Sequence, residues 1–230
     1  MRIISKIHRK IYKLTHPVEG EIWMLHRVAE ERSRDLEQRE LEVTPEWLEA
    51  EINNYKQKGY RFVSLDELPC RGPWVVITFD DGYRDNYTLA YPMLKRLSVP
   101  FTIYITTALI DNQMEAWWYP GQSLGMSREE LHALAAEPLC TLGAHTVHHP
   151  KLDTLTREQQ QAEIAQSKQQ LEEIIGREVK HFSFPHGAHN QDTLDICKAL
   201  GFSTIVKSWG APLRRGEWPA VLPRIDKQQP

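Results

Sequence analysis

The chain has 230 residues, of which 41% are hydrophobic and 26% are charged, as in an ordinary globular protein. Its 28 Lys and Arg against 31 Asp and Glu give a net charge of −3, and no stretch approaches the roughly 20 consecutive apolar residues of a membrane-spanning helix. These values exclude membrane-spanning and collagen-like proteins, and they disfavour a nucleic-acid binder, which would need a basic excess. Five of the ten histidines fall between His145 and His186, which is the first indication of a chemical site.

Residues 1–15 carry Ile and Leu side chains at helical spacing, with Lys and Arg between them. This pattern predicts a basic amphipathic helix, which either packs on its own domain or makes peripheral contact with an anionic membrane surface. The segment lacks the apolar region of a secretory signal peptide, and the three cysteines are too few and too irregular for a disulfide framework. We therefore expect a cytoplasmic protein, and no feature indicates an obligate protein partner.

Short apolar runs alternate with amphipathic stretches along the rest of the chain. β-Branched and aromatic residues bounded by Pro, Gly or charge predict eight strands, at Ile22–His26, Tyr60–Ser64, Trp74–Phe79, Phe101–Thr106, Thr141–His145, His181–Phe184, Ser203–Val206 and Ala220–Leu222. Capping residues predict helices that begin after Thr44, Ser127 and Thr156, and a fourth helix near Asp192–Leu200. The alternation predicts an α/β fold with parallel strands, either an open sheet or a (β/α) barrel, with its chemistry at the carboxyl ends of the strands. Because these elements use the whole length, we expect one domain over residues 1–230.

Two adjacent carboxylates, Asp80 and Asp81, directly follow the strand Trp74–Phe79 and precede Gly82. Such a pair at a strand end is destabilised by like-charge repulsion unless a cation lies beside it. Asp and Gly are also common in solvated turns, so the pair alone does not distinguish a site from a turn.

His145 and His149 lie at the end of the predicted strand Thr141–His145. Four residues apart on one helical turn, two imidazoles share a face and can bind one ion. With one carboxylate from Asp80 or Asp81 they form a two-His, one-carboxylate set. Such a set supports hydrolysis through a metal-bound water, or oxygen chemistry on ferrous iron.

Pro185, His186 and Gly187 leave the next predicted strand. They fix a tight loop whose backbone N–H groups could stabilise a developing oxyanion. The same residue types also occur at ordinary strand exits.

Two stretches, Thr78–Gly82 (TFDDG) and His145–Pro150 (HTVHHP), resemble the first two motifs of the polysaccharide deacetylases, the NodB-homology domains of carbohydrate esterase family four. Met24–Val28, Gly59–Ser64 and Leu222–Ile225 resemble segments of the branch in which the motif order is rearranged, and the pair of tryptophans at 117–118 is similar to that branch as well. The resemblance covers most of the chain. It implies a distorted (β/α)7 barrel of NodB type and a metal-dependent hydrolase of linear amide bonds, which removes the N-acetyl group from an amino sugar in a glycan or glycan precursor.

The same resemblance implies roles for individual residues. A divalent metal, zinc before iron, cobalt, nickel or manganese, would be held by Asp81, His145 and His149. Asp80 would be the general base acting on the metal-bound water, and a backbone N–H near His186 would stabilise the oxyanion. In the rearranged branch a His on the first strand protonates the leaving amine, which gives that role to His26, with a plain structural His at a strand end as the alternative.

The third motif departs from the family pattern. Ser183 stands where the family has an Arg that orients the catalytic aspartate, and His186 stands in place of a Tyr. Arg224 or Arg84 could replace the missing Arg, and the sequence does not choose between them. Neither His148 nor His181 is given a direct role.

Trp117, Trp118 and Tyr119 follow the strand Phe101–Thr106 on the expected active face. They either stack on sugar rings or cap the apolar core. Two other functions use the same residues: a ferrous-iron oxygenase, which leaves Asp80 without a role, and a carbohydrate-binding module that has lost catalysis, which the intact ligand set disfavours.

Overall fold

The computed structural model describes residues 17–230, and a ten-stranded sheet forms its centre. The strands, in chain order, are β1 (Val18–Leu25), β2 (Arg27–Val28), β3 (Glu42–Val43), β4 (Arg61–Phe62), β5 (Trp74–Phe79), β6 (Phe101–Ile105), β7 (Cys140–Ala144), β8 (His181–Ser183), β9 (Thr204–Lys207), β10 (Leu213–Arg214), β11 (Leu222–Pro223) and β12 (Ile225–Asp226). β2 and β3 pair separately. The predicted helix at residues 1–15 and its membrane contact lie outside the described residues, so they stay predictions, as does the cytoplasmic location.

Six α-helices flank these strands in the described residues: α1 (Leu36–Glu40), α2 (Pro45–Gln57), α3 (Tyr91–Arg96), α4 (Arg128–Ala135), α5 (Arg157–Ile175) and α6 (Gln191–Ala199). The side chains of Thr44, Ser127 and Thr156 each accept a backbone N–H of the first helical turn, as the caps predict. The sequence analysis misses α3, because the segment before it, Asn86–Ala90, is π-helical and offers no capping side chain. None of the helices described combines the length and the apolar character required to cross a membrane.

The sheet is nearly closed into a barrel. Its strands follow the order β10-β1-β5-β6-β7-β8-β9-β11, and the pairs from β1 through β5, β6, β7, β8 and β9 to β11 are parallel. β11 pairs with β9 at one edge, and β12, only one residue later, pairs with β1 near the other edge. Arg224 is that one residue, so it lies where the chain passes from one edge of the sheet to the other.

Residues on the central strands alternate between two faces. On β5, Val75 and Ile77 belong to the main core, whereas Trp74 and Val76 belong to a smaller cluster on the opposite face. Continuing the same alternation places Asp80 on the face of this smaller, inner cluster.

The other strands follow the same period. The main core contains Leu25 of β1, Ala144 of β7 and Phe182 of β8. The residues next to these three therefore face inward, and they are His26, His145 and Ser183. Side chains alternate between the two faces of each strand, and the strands end at the same end of the barrel. His26, Asp80, His145 and Ser183, which are far apart in the sequence, therefore point into the same region.

Candidate active site

A cleft of about 610 Å³ opens at the carboxyl ends of the strands. All six residues that the sequence analysis assigned to the site line this cleft, namely His26, Asp80, Asp81, His145, His149 and His186. The volume lies within the usual range for ligand pockets. The structure therefore brings these residues together at the end of the barrel where α/β folds carry out chemistry.

Asp81, His145 and His149 converge on one point. One ligand atom from each lies within 4.8 Å of the other two. The Oδ1 atom of Asp81 is 3.3 Å from Nε2 of His149 and 3.7 Å from Nε2 of His145. This oxygen is buried and has no hydrogen-bond partner in the described residues. A buried carboxylate oxygen without a partner is costly, and a cation would satisfy it.

The state of the two imidazoles also suits a cation. Nδ1 of His145 lies 2.8 Å from the carbonyl oxygen of Ser183, to which it can donate, and this leaves Nε2 with its lone pair toward Asp81. Burial lowers the pKa of His145 to about 4 and that of His149 to about 3. Both rings are therefore neutral at pH 7, which is the state that binds metals. The donor set fits a divalent cation.

A sharp turn positions Asp81. Asp81 and Gly82 both have left-handed backbone conformations, with φ of 71° and 81°. A Cβ at position 82 would lie 2.9 Å from Cδ1 of Ile105, so glycine is required there for both backbone and space. Burial raises the pKa of Asp81, and the nearby charge of Asp80 acts in the same direction. A bound cation would oppose both effects by favouring the carboxylate form.

The helical turn predicted for His145 and His149 is wrong. Residues 145–149 form a loop in which Thr146 and His149 have φ of 65° and 59°. The N–H of His149 donates to Oγ1 of Thr146, and the N–H of Val147 donates to the carboxylate of Glu163. These bonds replace helical ones, and the two imidazoles meet through loop geometry instead of a shared helix face.

Asp80 is held by Arg224. The guanidinium makes a bidentate pair with the carboxylate, with Nη1–Oδ1 at 2.7 Å and Nη2–Oδ2 at 2.6 Å, and both side chains are buried. Burial alone would raise the pKa of Asp80, but Arg224 holds it well below the usual range of a carboxyl group. Asp80 is therefore ionised while its neighbour Asp81 faces the two imidazoles.

Arg224 makes five hydrogen bonds, which equal the donor capacity of a guanidinium. Besides Asp80, its partners are Oγ1 of Thr78, Oγ of Ser183 and the carbonyl oxygen of Lys207. Ser183, where the sequence analysis noted the missing Arg, thus accepts a hydrogen bond from Arg224, which lies between β11 and β12. Arg84 instead pairs with Glu130 and is 64% exposed, so it does not reach Asp80.

His26 lies just beyond β1 and lines the cleft. Its carbonyl oxygen accepts a hydrogen bond of 2.9 Å from Asn86, and the next residue, Arg27, pairs with Asp85. Asp226, which the sequence analysis did not single out, lines the same cleft and interacts electrostatically with His26.

The loop at His186 is held by its own backbone. The N–H groups of Gly187 and Ala188 donate to the carbonyl oxygens of Phe184 and Pro185. These bonds leave the N–H of His186 as this loop's candidate donor toward an oxyanion. The His186 ring centroid lies 4.6 Å from that of His149, so the loop borders the two-His, one-carboxylate set.

The three aromatic residues after β6 have different environments. Tyr119 is buried and its hydroxyl donates to Gln38 or Glu42, so it belongs to the interior. Trp118 donates to the hydroxyl of Tyr83 and lines the cleft. Trp117 also lines the cleft and is 69% exposed. Trp209, which the sequence analysis did not identify, is 65% exposed on the same cleft.

Comparisons with known proteins agree with the motifs. The family model described as polysaccharide deacetylase matches residues 69–205. The Bacillus subtilis protein YxkH, which is named for the polysaccharide deacetylases, is 28% identical over 221 residues, covering 93% of this chain and 73% of that protein. The poly-β-1,6-N-acetyl-D-glucosamine N-deacetylase of Staphylococcus aureus (strain MSSA476) is 25% identical over 177 residues, and this match covers 69% of the chain and 58% of that protein.

Solved structures share the fold. The Streptococcus pyogenes deacetylase PplD, solved with acetate, superposes with a TM-score of 0.75 at 24% identity, covering 92% of this chain and 93% of that one. IcaB from Ammonifex degensii superposes with a TM-score of 0.78 at 23% identity, covering 91% and 92%. The expectation of a distorted NodB-type barrel is confirmed.

Proposed function

Because the chain belongs to the polysaccharide deacetylase family, we propose that it hydrolyses the N-acetyl group of an amino sugar within a glycan and releases acetate. One observation carries the proposal. Of two adjacent buried aspartates, Asp80 is paired with Arg224 and Asp81 faces two neutral imidazoles. This arrangement suits Asp80 for accepting a proton and Asp81 for binding a cation.

Asp81, His145 and His149 would hold the cation. Two imidazoles and one carboxylate, with positions left for substrate, are typical of catalytic zinc, so we propose zinc as the native metal. When bound, the cation supplies Lewis acidity to the acetyl carbonyl and to the attacking water.

Asp80 would accept the proton of the attacking water. Its pairing with Arg224 keeps it ionised. Among the described residues, Oδ1 accepts from Arg224 alone and so retains a lone pair, whereas Oδ2 also accepts from Oγ of Ser183 at 3.5 Å. As the water oxygen bonds to the acetyl carbon, its proton passes to Asp80. The N–H of His186 would donate to the oxyanion that forms.

His26 would complete the reaction. Cleavage of the C–N bond releases an amine that must gain a proton, and a protonated imidazole at the cleft is a suitable acid. The products are acetate and the free amino sugar. Before the next turnover, Asp80 releases its proton to solvent and His26 takes one up from solvent.

The cleft supports a glycan as substrate. Trp117 and Trp209 present exposed aromatic faces on its walls, and such faces can pack against sugar rings. Four further carboxylates line it, those of Asp35, Glu37, Glu40 and Asp226, and no Lys or Arg is among the described residues that do. This charge disfavours glycans that carry phosphate or uronate groups.

The oxygenase alternative uses the same two-His, one-carboxylate set. It gives no role to the buried pair of Asp80 with Arg224, so hydrolysis accounts for more of the site. Oxygen uptake by the iron-loaded protein would separate the two reactions.

An acetate-release assay tests the proposal. We expect zinc-loaded protein to release acetate from N-acetylglucosamine oligosaccharides, and a chelator to abolish the release. Asp80→Asn and His26→Ala should each lower turnover by at least about 100-fold, the usual contribution of a general base or acid. Asp153→Asn makes the same change as Asp80→Asn on an exposed side chain outside the cleft and should leave turnover unaltered.

Two outcomes would contradict these assignments. If zinc-loaded protein released no acetate from any N-acetylhexosamine oligosaccharide, the proposed function would be wrong. If His26→Ala kept full turnover, His26 would be a structural residue and not the acid.

A further inference from the structure

The loop that carries His149 has a backbone that its own residues do not favour. Thr146 and His149 are both in the left-handed region, which residues with a Cβ rarely adopt. Such conformations persist where surrounding contacts determine them. The position of His149 therefore depends on whatever holds this loop.

Contacts on two sides hold the loop. On one side, the N–H groups of Thr107 and Ala108 donate to its carbonyl oxygens, those of Thr146 and Val147, at 3.1 and 3.0 Å. On the other side, a single carboxylate from α5 accepts its N–H groups. Oε2 of Glu163 is 3.0 Å from the N of Val147 and 2.9 Å from the N of His148.

Glu163 also contacts a side chain of the loop. Its Oε1 lies 2.7 Å from Nδ1 of His148, and only 16% of the Glu163 side chain is exposed, against 60% for His148. The carboxylate is thus a mostly buried acceptor with three partners, all of them in residues 147–148. No hydrogen bond or ion pair joins Glu163 to the side chain of any of the six assigned site residues.

The two imidazoles of the metal set are fixed in different ways. The His145 ring is oriented by the hydrogen bond from Nδ1 to the carbonyl oxygen of Ser183. Nδ1 of His149 is buried and has no hydrogen-bond partner in residues 17–230. The His149 ring is confined by packing against Trp118 and His186 and by its own backbone. The position of the His149 ring therefore depends on the loop backbone, because no hydrogen bond from its Nδ1 orients it.

We propose that Glu163 is a positioning residue for the metal site, because its carboxylate holds the loop backbone that places His149 against Asp81. This inference rests on the proposed function in one respect, namely that Asp81, His145 and His149 bind a divalent cation. It assigns a task to a residue outside the cleft, on the helix that follows the second motif.

The geometry predicts that the length of the side chain at position 163 matters for holding the loop and that its charge does not. The same oxygen of Glu163 accepts both backbone N–H groups, so an amide oxygen of equal reach can replace it. A Gln at position 163 can also turn its NH₂ toward Nδ1 of His148. An Asp keeps the charge, but its side chain is one methylene too short to reach the loop from α5.

Zinc affinity of the full chain tests the inference. The protein is stripped with a chelator, zinc is returned alone, and its dissociation constant is measured by competition with a chromogenic chelator. Glu163→Ala and Glu163→Asp should weaken zinc binding by about 10- to 100-fold, as loss of an outer contact to a metal site does. Glu163→Gln should bind zinc within about threefold of the parent protein, because it restores both N–H bonds.

Glu173→Ala is the matched control. It removes an exposed carboxylate from the same helix, α5, whose hydrogen bond is with Gln169 of that helix and not with the loop, and zinc affinity should stay at the parent value. Melting of the metal-free proteins shows whether each variant folds. If Glu163→Ala does not fold, Glu163→Asp and Glu163→Gln still decide between reach and charge.

The outcomes distinguish two kinds of failure. Unchanged zinc affinity in folded Glu163→Ala or Glu163→Asp, with a parent protein that binds zinc, would overturn the inference alone. Weak binding by Glu163→Gln together with tight binding by Glu163→Asp would also overturn it, because charge would then matter and reach would not. A parent protein that binds no zinc would contradict the proposed metal site itself.

Discussion

Arg224 and Asp80 are two buried charges that compensate each other. Removing one member of such a pair leaves the other without compensation in the protein interior, which usually costs about 3–5 kcal/mol. The pair is also bidentate, so a lysine cannot reproduce its geometry. Both the stability of the barrel and the ionised state of Asp80 therefore depend on this one guanidinium.

We expect Arg224→Met to lower the free energy of unfolding by about 3–5 kcal/mol, because Asp80 is left buried and unpaired. Urea denaturation measures this loss. The double variant Arg224→Met with Asp80→Asn should recover part of the stability, since position 80 then carries no charge that lacks a partner.

Arg84→Gln serves as the control, because its exposed pair with Glu130 should contribute less than about 1 kcal/mol. If Arg224→Met were as stable as the parent protein, the pair could not be what holds Asp80 in place.

Sequence reasoning finds some site residues and misses others for a physical reason. Asp80 with Asp81, and His145 with His149, stand close together in the chain, so their residue types and spacing are visible. Arg224 is 144 positions from Asp80, and only the closing of the sheet makes them neighbours. Glu163 could not be found from the sequence either, because two of its three partners are backbone N–H groups, which do not depend on residue type.

At the scale of single elements, the strand β7 directly precedes His145 and must pack closely against its neighbours. A Cβ at Gly143 would lie 2.6 Å from Cδ1 of Tyr104 and 3.0 Å from the carbonyl oxygen of His181. Tyr104 is fully buried, so its ring cannot move aside without disturbing other contacts.

We expect Gly143→Ala to destabilise the protein by about 1–3 kcal/mol, the usual effect of adding a methyl group to a tightly packed interior. Urea denaturation is again the measurement. Thr141→Ser, on the same strand and face, is the control. It removes a methyl group instead of adding one, so it should lower the free energy of unfolding less than Gly143→Ala. If Gly143→Ala were as stable as the parent protein, β6 and β8 would pack less closely around position 143 than the structure shows.

Elements with strong local signals are predicted well, and those without are not. Trp74–Phe79 is predicted with its exact bounds as β5, and the helices after Thr44, Ser127 and Thr156 begin where their caps place them. The loop after β7 is predicted wrongly as a helical turn, because a four-residue His spacing is compatible with both. The conformation of this loop is determined by its contacts with Glu163 and with residues 107–108, which are distant from it in the sequence.

At the scale of the whole molecule, the two ends of the barrel differ. The carboxyl ends of the strands carry the cleft, whereas His181 lies at the start of β8 and pairs with Asp66, with 3.2 Å between Nε2 and Oδ1. Burial lowers the pKa of His181, and the charge of Asp66 opposes this only in part. Its Nδ1 has no hydrogen-bond partner in the part of the chain described.

This lowered pKa predicts how stability depends on pH. The unfolded chain binds a proton at His181 more readily than the folded protein, so the free energy of unfolding falls as pH decreases below about 6.5. We expect the parent protein to lose stability from pH 7 to pH 5 more steeply than His181→Leu, by up to about 1.4 kcal/mol per pH unit. Urea denaturation of metal-free protein at several pH values measures both slopes.

Asp66→Asn sharpens the same test. It removes the charge that favours protonated His181, so its stability should fall more steeply with decreasing pH than that of the parent protein. If the free energy of unfolding varied with pH in the same way for the parent protein and for His181→Leu, His181 would have the same pKa in the folded and the unfolded chain, and the prediction would be wrong.

The central claim is that a cation at Asp81, His145 and His149 enables the hydrolysis of N-acetyl groups. The most direct test is to titrate zinc into metal-free protein while measuring bound zinc per chain and acetate release from N-acetylglucosamine oligosaccharides in the same samples. We predict that acetate release rises in proportion to bound zinc and saturates at one ion per chain. Full release without metal, or one bound zinc with no release, would contradict the account.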